Sequence, residues 1–149
     1  MGLKDNRKRL ERYLSDTAEA PVTVNAFEKL SGGAIQENWL LDISVPEGEW
    51  AGDRQLVLRR DAPSMVATSH NRAEEFALLK QAHRAGVTVP LPCLLEADPA
   101  IMGGPFFIMH RVAGTAAGHK LVKRPPDDTL AAQLGTQLAR IHAIPPDDS

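Results

Sequence analysis

The chain has 149 residues, enough for one domain with a real core, and its 43% hydrophobic and 24% charged residues make an ordinary globular balance. A net charge of −2 argues against nucleic acid or a membrane surface as partner. No apolar run reaches the roughly 18 residues that span a bilayer. The basic start (Lys4, Arg7, Lys8, Arg9, Arg12) has no apolar stretch behind it, so it is not a signal peptide. The single cysteine, Cys93, has no partner in the chain and no companions at metal-ligand spacing. A cytoplasmic protein is expected, without a metal site in this chain.

From about Asp5 to Ala18 the spacing predicts a surface helix with Leu10, Tyr13, Leu14 and Ala18 on one face, ended by Pro21. Thr23 to Leu30 and Ile35 to Val45 read as strands, the second with Trp39, Leu41 and Ile43 on one side and Leu40 on the other. Between them stand Ser31, Gly32 and Gly33. Paired glycines let the backbone approach something closely. A tight turn needs such a pair, and so does a loop whose amides lie over a phosphate. Pro46, Gly48 and Gly52 make a hairpin-type loop before a third strand, Arg54 to Arg60. Alternation there puts Leu56 and Leu58 on one face and Val57 and Arg59 on the other.

A helix from about Asn71 to Ala85 follows, with Phe76, Leu79, Ala82 and His83 at helical spacing and Gly86 as its cap. Leu78 joins Leu79 and Ala82 on the face expected to meet the sheet. Val87 to Leu95 is strand-like but carries Pro90 and Pro92, so it begins irregularly or lies at an edge. Turns at Asp98-Pro99 and Gly103-Gly104-Pro105 lead to a fifth strand, Phe106 to Val112. A linker runs from Ala113 to Pro126. The last helix starts near Asp127 or Asp128 and carries the stripe Leu130, Leu134, Leu138 and Ile141 before Pro145-Pro146. Short connections predict an antiparallel sheet with the middle helix on one face.

This order, three strands, a helix, two strands and a tether to a further helix, is that of a protein-kinase-like N-terminal lobe. Five segments make the resemblance to the aminoglycoside phosphotransferase superfamily specific. Leu-Ser-Gly-Gly-Ala-Ile-Gln-Glu-Asn (30–38) resembles its nucleotide loop, and Leu-Val-Leu-Arg-Arg-Asp-Ala-Pro (56–63) its third strand. Arg-Ala-Glu-Glu-Phe-Ala-Leu-Leu (72–79), with Val-Thr-Val-Pro-Leu-Pro after it, resembles helix C and the next strand. Pro-Phe-Phe-Ile-Met-His-Arg-Val-Ala-Gly (105–114) is similar to strand five and the adenine hinge. Leu-Ala-Arg-Ile-His-Ala-Ile (138–144) is similar to the end of the helix that opens the second lobe. The likeness covers about residues 25 to 144.

The resemblance implies an α+β fold: a five-stranded antiparallel sheet with a helix C, an N-terminal helix (1–22) before the lobe (23–112), and hinge linker plus first helix of a C-terminal lobe (113–149). It implies ATP and Mg²⁺ as cofactors, a small-molecule hydroxyl as acceptor, and the C-terminal lobe of the same protein as partner. Phosphoryl transfer is mostly positioning and charge neutralisation. Ser31, Gly32 and Gly33 would lay amides over the phosphates, and Arg59 would be the strand-three cation, in place of the protein-kinase lysine. An arginine keeps the charge and adds a fork. Arg60 is the other candidate for the inward cation. Glu75, or Glu74 one helical step away, would hold that cation. Met109 would back the adenine pocket, with the His110 carbonyl accepting from the amine and the Val112 amide donating to the ring. His142 reads as a packing or capping residue.

The superfamily's His-Gly-Asp catalytic loop, its following Asn and its metal-binding Asp are not found in these 149 residues. The expectation is therefore the N-terminal piece of a longer phosphotransferase, with no catalytic residue of its own and metal ligands in the other lobe. A non-catalytic kinase-like module and an unrelated α+β domain are the alternatives.

Overall fold

The computed structural model describes residues 3–30, 36–61, 71–114, 118, 122–123 and 128–145. The elements run α1 (Leu3–Ala18), β1 (Thr23–Lys29), β2 (Gln36–Val45), β3 (Gly52–Asp61), α2 (Arg72–Arg84), β4 (Pro92–Glu96), α3 (Pro99–Met102), β5 (Phe106–His110) and α4 (Asp128–His142). The five strands form one sheet in the order β1-β2-β3-β5-β4, and every neighbouring pair is antiparallel. This is the α+β, kinase-like N-lobe expected of the chain.

Helices cover both faces of the sheet because both carry apolar side chains. On one face β2 contributes Trp39, Leu41, Ile43 and Val45 at every second position, and β3 adds Leu56 and Leu58. Leu10 and Leu14 of α1 close over them with no exposed surface, and Phe27 stacks on Trp39 at 4.8 Å. On the other face Val57, Phe107 and Met109 meet Phe76 and Leu79 of α2 and Leu95 of β4.

Polar contacts fix where α1 lies. The register of β1 against β2 shifts between Val24 and Ala26, which leaves backbone groups for other partners. Glu11 Oε2 accepts from the Val24 amide at 2.8 Å, and Arg7 donates to the Val24 carbonyl. The basic residues of α1 are thus partly structural: Arg9 also reaches the Ala100 carbonyl at 3.0 Å.

Several boundaries differ from expectation. β4 starts at Pro92, not Val87; prolines 90 and 92 cannot donate to a ladder, and the strand lies at the sheet edge, where that is tolerated. β5 ends at His110, so Val112 stands outside the strand and is largely exposed. Asp98-Pro99 opens a short helix rather than a simple turn: Asp98 accepts from the Ala100 amide at 2.8 Å, and Gly103, at φ 80°, closes it. Leu78 does not face the sheet but is 52% exposed, and His83 is exposed too. Successive helical residues point about 100° apart, so with Leu79 inward Leu78 turns out. Contact with the sheet is made by Phe76 and Leu79, and His83 lies in the last turn beyond them.

Helix α4 begins at Asp128 as expected, but its stripe is uncovered: Leu130, Leu134, Leu138 and Ile141 are all exposed among the described residues. Two polar contacts tie it to the end of α2. Gln137 accepts from the Thr88 amide at 2.7 Å, and Arg140 donates to the Gly86 carbonyl at 2.7 Å.

Candidate functional site

β3 sorts its side chains by parity. Leu56, Leu58 and Arg60 face α1, and Val57 and Arg59 face α2. Across the ladder Val57 pairs with Met109, and Arg59 with Phe107 and Asn38. The result is a small apolar cluster of Val57, Phe107 and Met109, packed under α2, with one cation at its end. Arg59 Nε donates to Asn38 Oδ1 at 2.9 Å, and Nη1 donates to Glu75 Oε1. The guanidinium lies 5.9 Å from the Phe107 ring centre, within cation–π range. Among the described residues Nη2 makes no hydrogen bond.

The choice between the two glutamates of α2 is decided by the helix start. Glu74 is consumed by a capping box: its Oε2 accepts from the Asn71 amide at 3.0 Å, and Asn71 Oδ1 accepts from the Glu74 amide at 2.9 Å. Glu75, one step round the helix, reaches Arg59 instead. The Arg59 and Glu75 side chains are 26% and 20% exposed, a partly enclosed pair of modest net value to folding. Glu75 uses its second oxygen as well, accepting from Arg72 Nη1.

Arg60 is not the inward cation of this face. It forks onto Glu37 from the opposite side of the sheet, Nε at 2.8 Å and Nη2 at 2.7 Å, and Nη1 donates to the Met102 carbonyl. Its guanidinium sits 5.6 Å over the Trp39 ring. Burial opposes ionisation of Glu37, but hydrogen bonds from Lys29 and Arg60 outweigh it and hold the carboxyl below its ordinary range.

Met109 is buried beside Val57 and Phe107. The His110 amide donates to the Leu91 carbonyl at 2.9 Å, and the Val112 amide has no backbone partner among the described residues. The His110 side chain turns away from this cluster. With Trp50, Arg54, Leu56, Leu91 and Cys93 it lines a cavity of about 250 Å³ on the reverse side of the sheet. Burial raises the Cys93 thiol pKa there, although nearby Arg54 and the His110 amide act in the other direction. Ser31, Gly32 and Gly33 lie outside the described residues. His142 is exposed in the last turn of α4.

Sequence reasoning missed Asn38, Phe107, Asp61 and Arg72. Asn38 and Phe107 are legible only from strand register, which depends on how β2 and β5 align with β3. Arg72 carried a signal, a cation in the first turn of a helix, where the dipole disfavours it.

A five-stranded sheet with a strand-three cation held by a helix glutamate is the arrangement of a kinase-like N-lobe. The chain belongs to the phosphotransferase enzyme family, whose model matches residues 26–149. It is also 38% identical over 99 residues to acyl-CoA dehydrogenase family member 10 of Mus musculus. That alignment takes in 62% of this chain but 9% of the mouse protein. No helix among the described residues is long and apolar enough to cross a membrane.

Proposed function

We propose that this chain is the nucleotide-binding lobe of an ATP-dependent small-molecule phosphotransferase, which moves the γ-phosphate to a hydroxyl of its acceptor. The observation that carries the reading is Arg59. It is held at two points by Asn38 and Glu75, at the end of a small apolar cluster, with one nitrogen uncommitted among the described residues. That donor set fits a nucleotide. Val57 and Met109 would flank a purine ring, Phe107 supports them from behind, fully buried under Phe76, and the guanidinium can fork to phosphate oxygens.

In this reading Ser31, Gly32 and Gly33 lay amides over the phosphates, and the His110 carbonyl and Val112 amide hold the adenine edge. Arg59 binds and orients the phosphate chain, and Glu75 keeps Arg59 from swinging away. Mg²⁺, when bound with ATP, neutralises charge on the transferring phosphoryl group. Among the described residues no group of three or more His, Cys, Asp or Glu is placed to hold a metal, and the proposed ligands belong to a second lobe. The name of the mouse relative describes a protein of which the alignment takes in 9%, so its dehydrogenase label is not carried over.

The alternative reading is a kinase-like module that binds without catalysing. The test is γ-labelled ATP with the complete protein and a pool of small hydroxylated metabolites. Mg²⁺-dependent label transfer supports the phosphotransferase. Saturable ATP binding without transfer to any hydroxyl supports the module. Neither binding nor transfer removes both.

A further inference from the structure

Arg72 stands where local rules disfavour it. It occupies the first turn of α2, where a cation opposes the helix dipole, and it is 2% exposed. A guanidinium so buried persists only when its partners answer its charge and its geometry. Arg72 has charged or polar partners on three elements. Its Nε lies 2.9 Å from Asp61 Oδ1 at the end of β3, an ion pair without hydrogen-bond alignment, and Nη1 donates to Glu75 Oε2 on its own helix. With the Gln36 amide oxygen turned toward it at the start of β2, Nη1 and Nη2 donate at 3.2 and 3.0 Å.

The four charges therefore alternate along one line: Arg59, Glu75, Arg72, Asp61. Each oxygen of Glu75 has its own guanidinium, Oε1 to Arg59 and Oε2 to Arg72. A carboxylate bound at one oxygen swings about its side-chain torsions, whereas one bound at both does not. Arg59 alone would leave Glu75 able to follow it outward. Arg72 ties Glu75 to the β3 end and the β2 start, the two segments that border the candidate phosphate site.

We infer that Arg72 is a positioning residue: by bridging Asp61 to Glu75 it presets the Arg59–Glu75 pair before nucleotide arrives. The inference rests on the phosphotransferase reading and adds a residue that touches no substrate.

Two variants test it, chosen so that neither removes Arg59 or Glu75. Arg72→Lys keeps the charge and loses the fork. Asp61→Asn alters the far end of the line and spares the buried guanidinium if Arg72→Lys fails to fold. In the nucleotide-free chain, NMR of the Arg59 Nε–H, which donates to Asn38, reads how firmly the side chain is held. Exchange of that proton is expected to speed up at least threefold in both variants. In the complete protein kcat/KM for ATP should fall about three- to tenfold, mainly through kcat, in the same direction as Arg59→Ala, because a loosely held cation meets transition-state charge less well. Unchanged exchange of the Arg59 proton in a folded variant overturns the inference. Faster exchange with unchanged kinetics also overturns it, because Arg72 would then serve the fold alone. A failure of the phosphotransferase reading shows elsewhere, as an unsubstituted complete protein that neither binds ATP nor transfers phosphate.

Discussion

Arg59 and Arg60 are adjacent and chemically identical, yet the pleat sends them to opposite faces of the sheet. Their substitutions should therefore fail in different ways. Arg59→Ala in the complete protein should lower turnover by about tenfold or more, roughly 1.4 kcal/mol of barrier, with little change in melting. Arg59→Lys should be milder but measurable, since lysine loses the fork. Arg60→Ala should leave turnover close to normal and cost about 2 kcal/mol of stability, because Glu37 loses a partner in a nearly buried place. Steady-state kinetics and thermal melts of the three variants separate the roles. A turnover loss confined to Arg60→Ala would reverse the assignment of the cation.

Tyr13 gives a second residue-scale prediction, clean because it is the only tyrosine. Burial first, then the hydrogen bond and charge of Glu96, push its pKa from 10.0 to about 12. The folded state thus favours the neutral phenol. That stabilisation is present below pH 10 and is lost as pH rises toward 12. An ultraviolet titration should show ionisation near 12 in the folded chain and near 10 in denaturant. Glu96→Gln should bring the folded value down, and a folded midpoint already at 10 would remove Glu96 and burial from the account.

Helices α1 and α4 carry similar apolar stripes and meet different fates. Leu10 and Leu14 of α1 are fully buried, whereas Leu134 of α4 is 62% exposed. The sequence pattern of the two is equivalent, so only packing distinguishes them. Leu14→Ala should destabilise the chain by about 2–4 kcal/mol, the usual cost of emptying a packed leucine site. Leu134→Gln should change its stability by less than about 0.5 kcal/mol. Denaturant unfolding of both variants measures the contrast. A large loss from Leu134→Gln would mean that the stripe is covered in solution.

At the scale of the molecule, the described lobe offers one wall of the proposed nucleotide site: a held cation beside the small apolar cluster of Val57, Phe107 and Met109. One wall buries little of a ligand, and pockets that bind tightly enclose most of it. Titration calorimetry of the 149-residue chain with Mg·ATP should therefore give weak binding or none. Sub-micromolar affinity would show that the site needs no second lobe.

Much of this protein was readable from residue order because its elements are strongly periodic. The alternation Trp39, Leu41, Ile43 and the spacing of Leu10 and Leu14 follow from pleat and helix geometry, which are local properties. The antiparallel sheet, the kinase-like class and the placing of Arg59 with Val57 on one strand face followed from them and from the resembled motifs. The preference for Glu75 over Glu74 was legible from helical spacing, and the local capping bond of Glu74 to Asn71 agrees with it; what packing added is the contact of Glu75 with Arg59. Tertiary structure alone decided the rest. Asn38 and Phe107 join the site through strand register, and Asp61 and Arg72 through the packing of α2 against the sheet. Such contacts join residues distant in the chain, and no local preference encodes which of several equivalent charges will meet.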